Sequence, residues 1–403
     1  MCIGAGSTGS LSGKRKKRDA NMGVGIMKVL LLNQIPEVNN KYTFSLARAL
    51  LRQGVQVEVC GIEDDDVSAY TDVPYLNLFY SYSKIPSLPG KVFSYRRSWS
   101  RVLDYCLKNK VDVVHVQWYI FSPLDWYYHC RLRAKGIRVV ATIHDLLPFN
   151  KKFYDPMMHK RIYAGADAIV NQARMNEEAL VKEFGVQRDR ITYVPHGHYM
   201  EYAEQATLEE SREKLNIPVN RPVILFFGQI KTVKGVDVLL EALPKVIQHY
   251  PDALCVIAGK VWKDDFSVYQ NLIDTLHLGE NVRADIHFIR DDEIKYYFNA
   301  ADIVALPYRQ IYQSGVVLLA YAYEKPVVAT TEGEFLTVVK PNETGLLVPS
   351  GNAEALADAL IWYLDNPQQA KQYGVAGKAD LMVRLSWDTI AQSMARIYED
   401  VLK

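Results

Sequence analysis

From Met27 onward the chain alternates short apolar, β-branched runs with stretches of helical length, and this alternation restricts it to a parallel α/β architecture. The strand-like "KVLLLNQ" (28–34) is followed by the helix-like "YTFSLARALLRQG" (42–54) and by "VQVEVCG" (55–61). The series continues through "VDVVHVQW" (111–118), "IRVVATIHD" (137–145), "ADAIVNQ" (166–172) and "DRITYVPHG" (189–197). After a polar segment (198–222) it restarts with "VILFFGQ", "DALCVIAGK", "ADIHFIR", "ADIVALPY" and "KPVVATT". Strands this uniformly apolar belong to sheets covered on both faces. We therefore expect two doubly wound domains, 27–200 and 201–385. The capped amphipathic helix 386–403 is expected to return to the first domain.

The length of 403 residues fits two cores rather than one. A net charge of +1 provides no overall field for nucleic acid, and no nucleic-acid module accompanies the basic residues. The five cysteines are scattered, with no C-x-x-C pair, which points away from a disulfide framework or zinc site and toward a reducing cytoplasm. No run approaches the length of a membrane span, and no apolar signal segment is evident. Residues 1–26, Gly/Ser-rich and then basic at Lys14–Arg18, read as a disordered tail.

Three places carry chemistry. In "RQIYQSGVVLLAYAYEKPVVAT" (309–330) a polar loop enters a helix apolar on all sides, which must be buried. Its first-turn N–H groups, at Ser314, Gly315 and Val316, then open inside the protein as an anion site; an ordinary capped core helix would look the same. "FFGQIKTVKGVDVLLEAL" (226–243) places Lys231 and Lys234 in a strand-to-helix loop, where two ammonium groups can clamp a diphosphate. Solvated loop lysines are the plainer reading of that pair, but both loops end strands of one sheet and face one crevice. In "VVATIHDLLP", His144 and Asp145 directly follow a strand. There a histidine can donate to a hydroxyl or phosphate, act as an acid or base, or simply cap the loop. His115 and Gln117 in "HVQW" are weaker candidates.

The order "HVQW", "ATIHDLLP", "YVPHG", "FFGQIKTVKGVDVLLEAL", "ADIVALPY", "QSGVVLLAYAYEKPVVAT", "ETGLLVPSGNAEALADAL" resembles glycosyltransferase family 4, across nearly all of residues 27–403. The resemblance implies a GT-B fold and a retaining transferase without cofactor or metal, using a nucleotide-diphosphate sugar bound mainly by the second domain. The acceptor, a glycan or a lipid-linked molecule, would lie on the first domain. Carried over position by position, Lys231 and Lys234 neutralise the leaving diphosphate. The turn Gln313-Ser314-Gly315-Val316 receives the same phosphates, with Gln313 taking part of the sugar contact. His144 contacts the donor sugar, and Ile289 and Arg290 lie along the nucleobase. Asn40, Tyr42, Gln117 and Asp145 are the polar candidates for the acceptor or cleft. On this resemblance the expected role is cell-surface or exopolysaccharide synthesis.

The chain departs from the family pattern at several points. Ile311 and Leu319 stand where many members carry paired glutamates, a feature shared with a branch that reads "QSG" here. Gln229 replaces an arginine and Glu324 a glycine. A sugar-nucleotide epimerase, or a non-catalytic nucleotide-sugar binder, are the competing readings. A carboxylate-rich cleft would favour the first, and binding without turnover the second. Asp64-x-Asp66 has a metal-binding spacing without a phosphate motif beside it, and His196-Gly-His198 lacks a third ligand. "GVG" (23–25) precedes the first strand, which excludes a dinucleotide fingerprint. The basic and aromatic mixture between Tyr80 and Lys110 could rest on anionic lipid at the inner face of the plasma membrane, or be a solvated face over a core stripe.

Overall fold

The computed structural model describes residues 27–81, 84–148, 151–262, 265–311 and 314–403. The tail 1–26 and Gln313 lie outside the described residues.

The first unit is a seven-stranded parallel sheet in the order β3-β2-β1-β4-β5-β6-β7. Its strands are β1 (Lys28–Leu32), β2 (Gln56–Ile62), β3 (Tyr75–Phe79), β4 (Val113–Val116), β5 (Arg138–Ile143), β6 (Ala168–Asn171) and β7 (Ile191–Tyr193). Successive residues of β1 point to opposite faces. Val29 and Leu31 pack with α1 (Pro36–Arg52) and α14 (Trp387–Leu402), whereas Leu30 and Leu32 pack with α2 (Leu88–Asn109) and α3 (Ser122–Ala134). This is why the strand is apolar without interruption. Next to α3 lies α4 (Asp155–Gly165).

The second sheet is six-stranded and parallel, in the order β10-β9-β8-β11-β12-β13. Its strands are β8 (Val223–Phe227), β9 (Leu254–Ala258), β10 (Val282–Asp285), β11 (Ile303–Leu306), β12 (Val327–Thr330) and β13 (Gly345–Val348). Its helices include α6 (Leu208–Lys214), α7 (Val236–His249), α9 (Asp291–Ala300), α10 (Gly315–Ala322) and α13 (Pro367–Arg384). In both sheets strand order reverses beside the first strand of the unit, at β1/β4 and at β8/β11. Crevices for ligands open at such points, beyond the carboxyl ends of the strands.

The structure differs from the sequence expectation in four elements. β3 and β13 were not anticipated as strands. β10 ends at Asp285, so Ile289 and Arg290 lie in the loop beyond it. α1 begins at Pro36, ahead of the helix-like stretch that starts at Tyr42, so Asn40 is a helical rather than a loop residue. Proline at the first helical position is favourable because its missing N–H has no intrahelical partner to lose.

Glu324, anomalous in the sequence, follows α10 at φ 55°, the left-handed position where glycine is usual. Its carboxylate receives a hydrogen bond from Lys378 of α13 at 2.9 Å. A side chain at Gly374 would come within 2.0 Å of the Glu324 carbonyl oxygen, so α13 is pressed against the end of α10. No helix among the described residues is long and apolar enough to cross a membrane.

Candidate active site

The β8–α7 and β11–α10 loops flank the reversal point of the second sheet and are fastened to each other. The Arg309 N–H donates to the Val233 carbonyl at 2.8 Å, and the Arg309 guanidinium forks onto Asp237 of α7 at 2.6 and 2.7 Å. Gly235 is at φ 66°, and a Cβ there would sit 2.0 Å from the Pro307 carbonyl oxygen, so the close approach of the loops requires glycine. Gly228, at φ 110°, lets the first turn of α10 settle on the end of β8, its would-be Cβ lying 3.3 Å from Val316 Cγ2.

On this frame the Lys234 ammonium sits 3.7 Å above the Tyr308 ring, and Lys231 is over Trp262 at 5.0 Å. No carboxylate among the described residues is within ion-pair distance of Lys234. Burial lowers its pKa to about 7, Lys231 pushes the same way, and Asp145 pulls weakly back. Asp145, reaching in from the first domain, is raised by its own burial to about 6 despite the attraction of both lysines. Asp145 is thus close enough for both lysines to act on it across the cleft.

At the start of α10, Ser314 has extended backbone (φ −136°, ψ 108°), and its side chain does not cap the first-turn N–H groups. Its Oγ is buried and faces the Tyr308 hydroxyl. Gly315 has a packing reason as well as an electrostatic one, because a Cβ there would lie 3.3 Å from Cε2 of Tyr199.

His144 is brought to the facing edge of the first sheet, beyond β5. Its ring stacks on Trp118 (centroids 4.5 Å apart, planes 6° apart) and meets the edge of Tyr42 at 5.2 Å. Burial holds the imidazole neutral, at about 3, with His196 adding to the depression and Gln172 opposing it. Nε2 is buried and has no hydrogen-bond partner among the described residues. Tyr42 is buried, and its hydroxyl accepts a hydrogen bond from Gln172 Nε2 at 2.7 Å.

The remaining expected residues are more dispersed. The Gln117 carbonyl oxygen accepts from Asn39 (2.8 Å) and Thr43 (2.7 Å), which ties β4 to α1. Asn40 bridges Asn33 (2.7 Å) and Asp65 (2.9 Å). His115 is fixed between Tyr398 and Thr142, both at 2.7 Å, as an internal strut under α14. Ile289 is buried in the second core. Arg290 opens α9, its guanidinium held by Asp292 (3.1 Å) and Glu293 (3.2 Å). The bare ring beside them is Phe288, 69% exposed. Asp64 pairs with Lys84 at 3.0 Å, and Asp66 accepts from the Ser68 N–H. No group of three metal-ligating side chains occurs among the described residues. Sequence reasoning did not single out Trp118, Tyr199 or Tyr308, although Trp118 and Tyr308 end the quoted motifs "HVQW" and "ADIVALPY".

The sequence and the fold match known families. Residues 40–201 match the model described as Glycosyltransferase Family 4, and residues 208–380 match that described as Glycosyl transferases group 1. A D-inositol 3-phosphate glycosyltransferase of Xylanimonas cellulosilytica is 28% identical over 396 residues, covering 90% of this chain and 92% of that one. A second of that name, from Corynebacterium aurimucosum, is 26% identical over 90% and 91% of the two chains. Among solved structures, a glycosyltransferase from Rickettsia africae superposes with a TM-score of 0.74 at 21% identity, over 94% of this chain and all of that one. Anabaena HepE in complex with UDP superposes with the same score at 17% identity, over 93% and 100%. The sucrose-phosphate synthase of Thermosynechococcus elongatus gives 0.72 at 20%, over 93% and 99%. With its two fastened loops, its two facing parallel sheets and family models matched along both, the chain belongs to family 4 of the glycosyltransferases and has the GT-B fold.

Proposed function

We propose that this glycosyltransferase is retaining and needs no metal, and that it moves a sugar from a nucleotide-diphosphate donor to a glycan or lipid-linked acceptor in cell-surface or exopolysaccharide synthesis. The observation that carries this reading is the convergence of the half-buried Lys231 and Lys234 beside the N-terminus of α10, which the Ser314 side chain does not cap. Such a site favours a diphosphate, above all one gaining charge as its bond to the sugar breaks. The bond from the sugar C1 to the diphosphate oxygen breaks while the acceptor oxygen bonds C1 from the same face. The acceptor proton passes to the departing diphosphate oxygen, so no carboxylate nucleophile is required. His144, neutral and clamped by Trp118 and Tyr42, donates to or accepts from a donor-sugar hydroxyl. Ile289 and Arg290, at the far edge of the second sheet, lie along the base.

The first domain would receive the acceptor, with Asp145, Tyr42, Gln117 and Asn40 around its edge. α2 supports a membrane-side location. Its body buries Tyr95, Trp99, Val102 and Leu103, while its first two turns expose Leu88 (68%) and Phe93 (67%), with Arg96 and Arg97 exposed close by. Bare apolar side chains within a basic field suit the surface of an anionic bilayer on the cytoplasmic side.

The test is a panel of nucleotide sugars, uridine diphosphate sugars first, against phosphorylated polyols and lipid-linked glycans, with release of free nucleoside diphosphate as readout. Turnover with retention at the anomeric carbon is expected. Isomerisation without release, or binding without turnover, would overturn the proposal.

A further inference from the structure

A cavity of about 620 Å³ opens away from the cleft, at the amino-terminal edge of the second sheet. Its floor is the entry to β8 and β11, and its walls are the end of α10 and the first half of α13. The volume is within the ~300–1,000 Å³ usual for small-molecule sites.

Its charges do not balance. Five cationic side chains line it against two carboxylates, Asp302 and Glu324. Arg212 is spent on Asp302 (2.8 Å) and Lys378 on Glu324 (2.9 Å). Arg221 is held by the backbone carbonyls of Asp252 and Glu280, which carry no net charge. Among the described residues Lys325 donates to the carbonyl of Asn299, at 3.2 Å, and forms no ion pair. Lys371 is exposed on α13 and forms no ion pair among the described residues. Burial lowers the Lys325 ammonium to about 8, and Arg212 and Lys371 contribute to the fall against the pull of Asp302 and Glu324. Structural capping accounts for one of these cations, since a lysine after α10 complements the helix dipole. It does not account for Lys371 and Arg221 converging on the same hollow.

We propose that this cavity binds a small phosphomonoester, such as a sugar phosphate. A dianionic head would lie between Lys325, Lys371 and Arg221, and the rings of Tyr250 and Tyr323 would flank the carbon skeleton. Phosphate fits better than carboxylate because three spread cations match a doubly charged group with three acceptor oxygens. The site is independent of sugar transfer, yet mechanically near it. α10, eight residues or ~12 Å long, ends at the cavity wall and begins at the proposed diphosphate site.

The experiment titrates glucose 6-phosphate by calorimetry into full-length protein carrying Lys231→Ala and Lys234→Ala, so that the cleft contributes little. Saturable one-to-one binding is expected, with unphosphorylated glucose silent. Lys371→Ala, at an exposed position where folding is safe, should weaken binding by at least about tenfold, the scale of one charge-assisted contact. Lys325→Met should do the same wherever the variant retains its thermal unfolding transition. Absence of binding in the cleft-disabled protein would overturn the proposal. So would binding indifferent to Lys371→Ala, or equally strong binding of glucose.

Discussion

If Lys234 waits for a diphosphate in a largely neutral state, binding must draw a proton from solvent. The ammonium is held at about 7 by burial and by Lys231, so at pH 8 about nine in ten Lys234 side chains are uncharged. One phosphate charge ~4 Å away, at an effective dielectric of ~20, is worth about 4 kcal/mol, or ~3 pKa units, which returns the group to the ordinary lysine range. Uptake at pH 8 should therefore approach ~0.9 proton per site. The sign follows from linkage. Lys234 has the higher pKa in the complex, so affinity is greatest below pH 7 as far as this group is concerned and falls as pH rises from about 7 toward about 10. At pH 8 a free diphosphate is already ionised and Asp145, at about 6, is charged; because an incoming anion raises Asp145 as well, the uptake owed to Lys234 is read as the difference between the parent protein and Lys234→Met. The assay is calorimetric titration of uridine diphosphate in buffers of different ionisation enthalpy, the slope giving protons taken up. Lys234→Met should lower the slope by ~0.9 proton and weaken binding. An unchanged slope in that variant, or none in the parent protein at pH 8, would refute the assignment of Lys234 to the diphosphate.

Lys234→Ala should lower turnover by at least about tenfold, as expected for losing a charge-assisted contact worth ~1.5–3 kcal/mol, and normal turnover in the folded variant would remove it from the site. His144→Ala should depress turnover while leaving nucleoside diphosphate affinity nearly intact; a parallel loss of affinity would put His144 in the wrong half of the site. Activity should survive chelation, because two lysines and a helix N-terminus supply the charge a divalent ion would otherwise provide. Loss with chelator, restored by magnesium or manganese, would contradict this. Glu324→Gly should raise stability by ~0.5–1 kcal/mol in a denaturant titration, since it relieves a left-handed backbone at the expense of a half-exposed ion pair; destabilisation would show that the Lys378 contact dominates.

The fold was legible wherever one residue's neighbours along the chain decided its state. β8, β9 and β11 are buried on both faces, so each is a plain apolar run. β3 is an edge strand reading Tyr-Leu-Asn-Leu-Phe after an acidic loop, and it is recognisable only once β2 is beside it. The first turns of α1 were lost because Asn39 and Asn40 have turn character; their side chains are engaged by Gln117 and Asp65, 78 and 25 residues away. The lysine pair was legible because loop, glycine and helix are contiguous. The Trp118 platform under His144 was not, since it joins the ends of two strands, and no periodicity records which side chains meet there.

The same distinction bears on how the two halves of the site communicate. His144 touches Tyr42 at 5.2 Å, Tyr42 touches His196 at 4.8 Å, and His196 touches Tyr199 at 5.2 Å. Tyr199 in turn covers Gly315, the first residue of α10. His196 and Tyr199 belong to the segment that leaves the first sheet, where Trp387 of α14 donates to the His198 carbonyl at 2.9 Å and the Tyr193 hydroxyl donates to Glu334 of the second unit at 2.6 Å. A continuous line of aromatic rings therefore runs from the proposed sugar contact to the proposed phosphate contact, through the joint between the units. Close-packed rings transmit displacement because they cannot be compressed. Any rotation of one unit against the other must shift Tyr199 relative to Gly315 or His196 relative to Tyr42, and so alters the two contacts together.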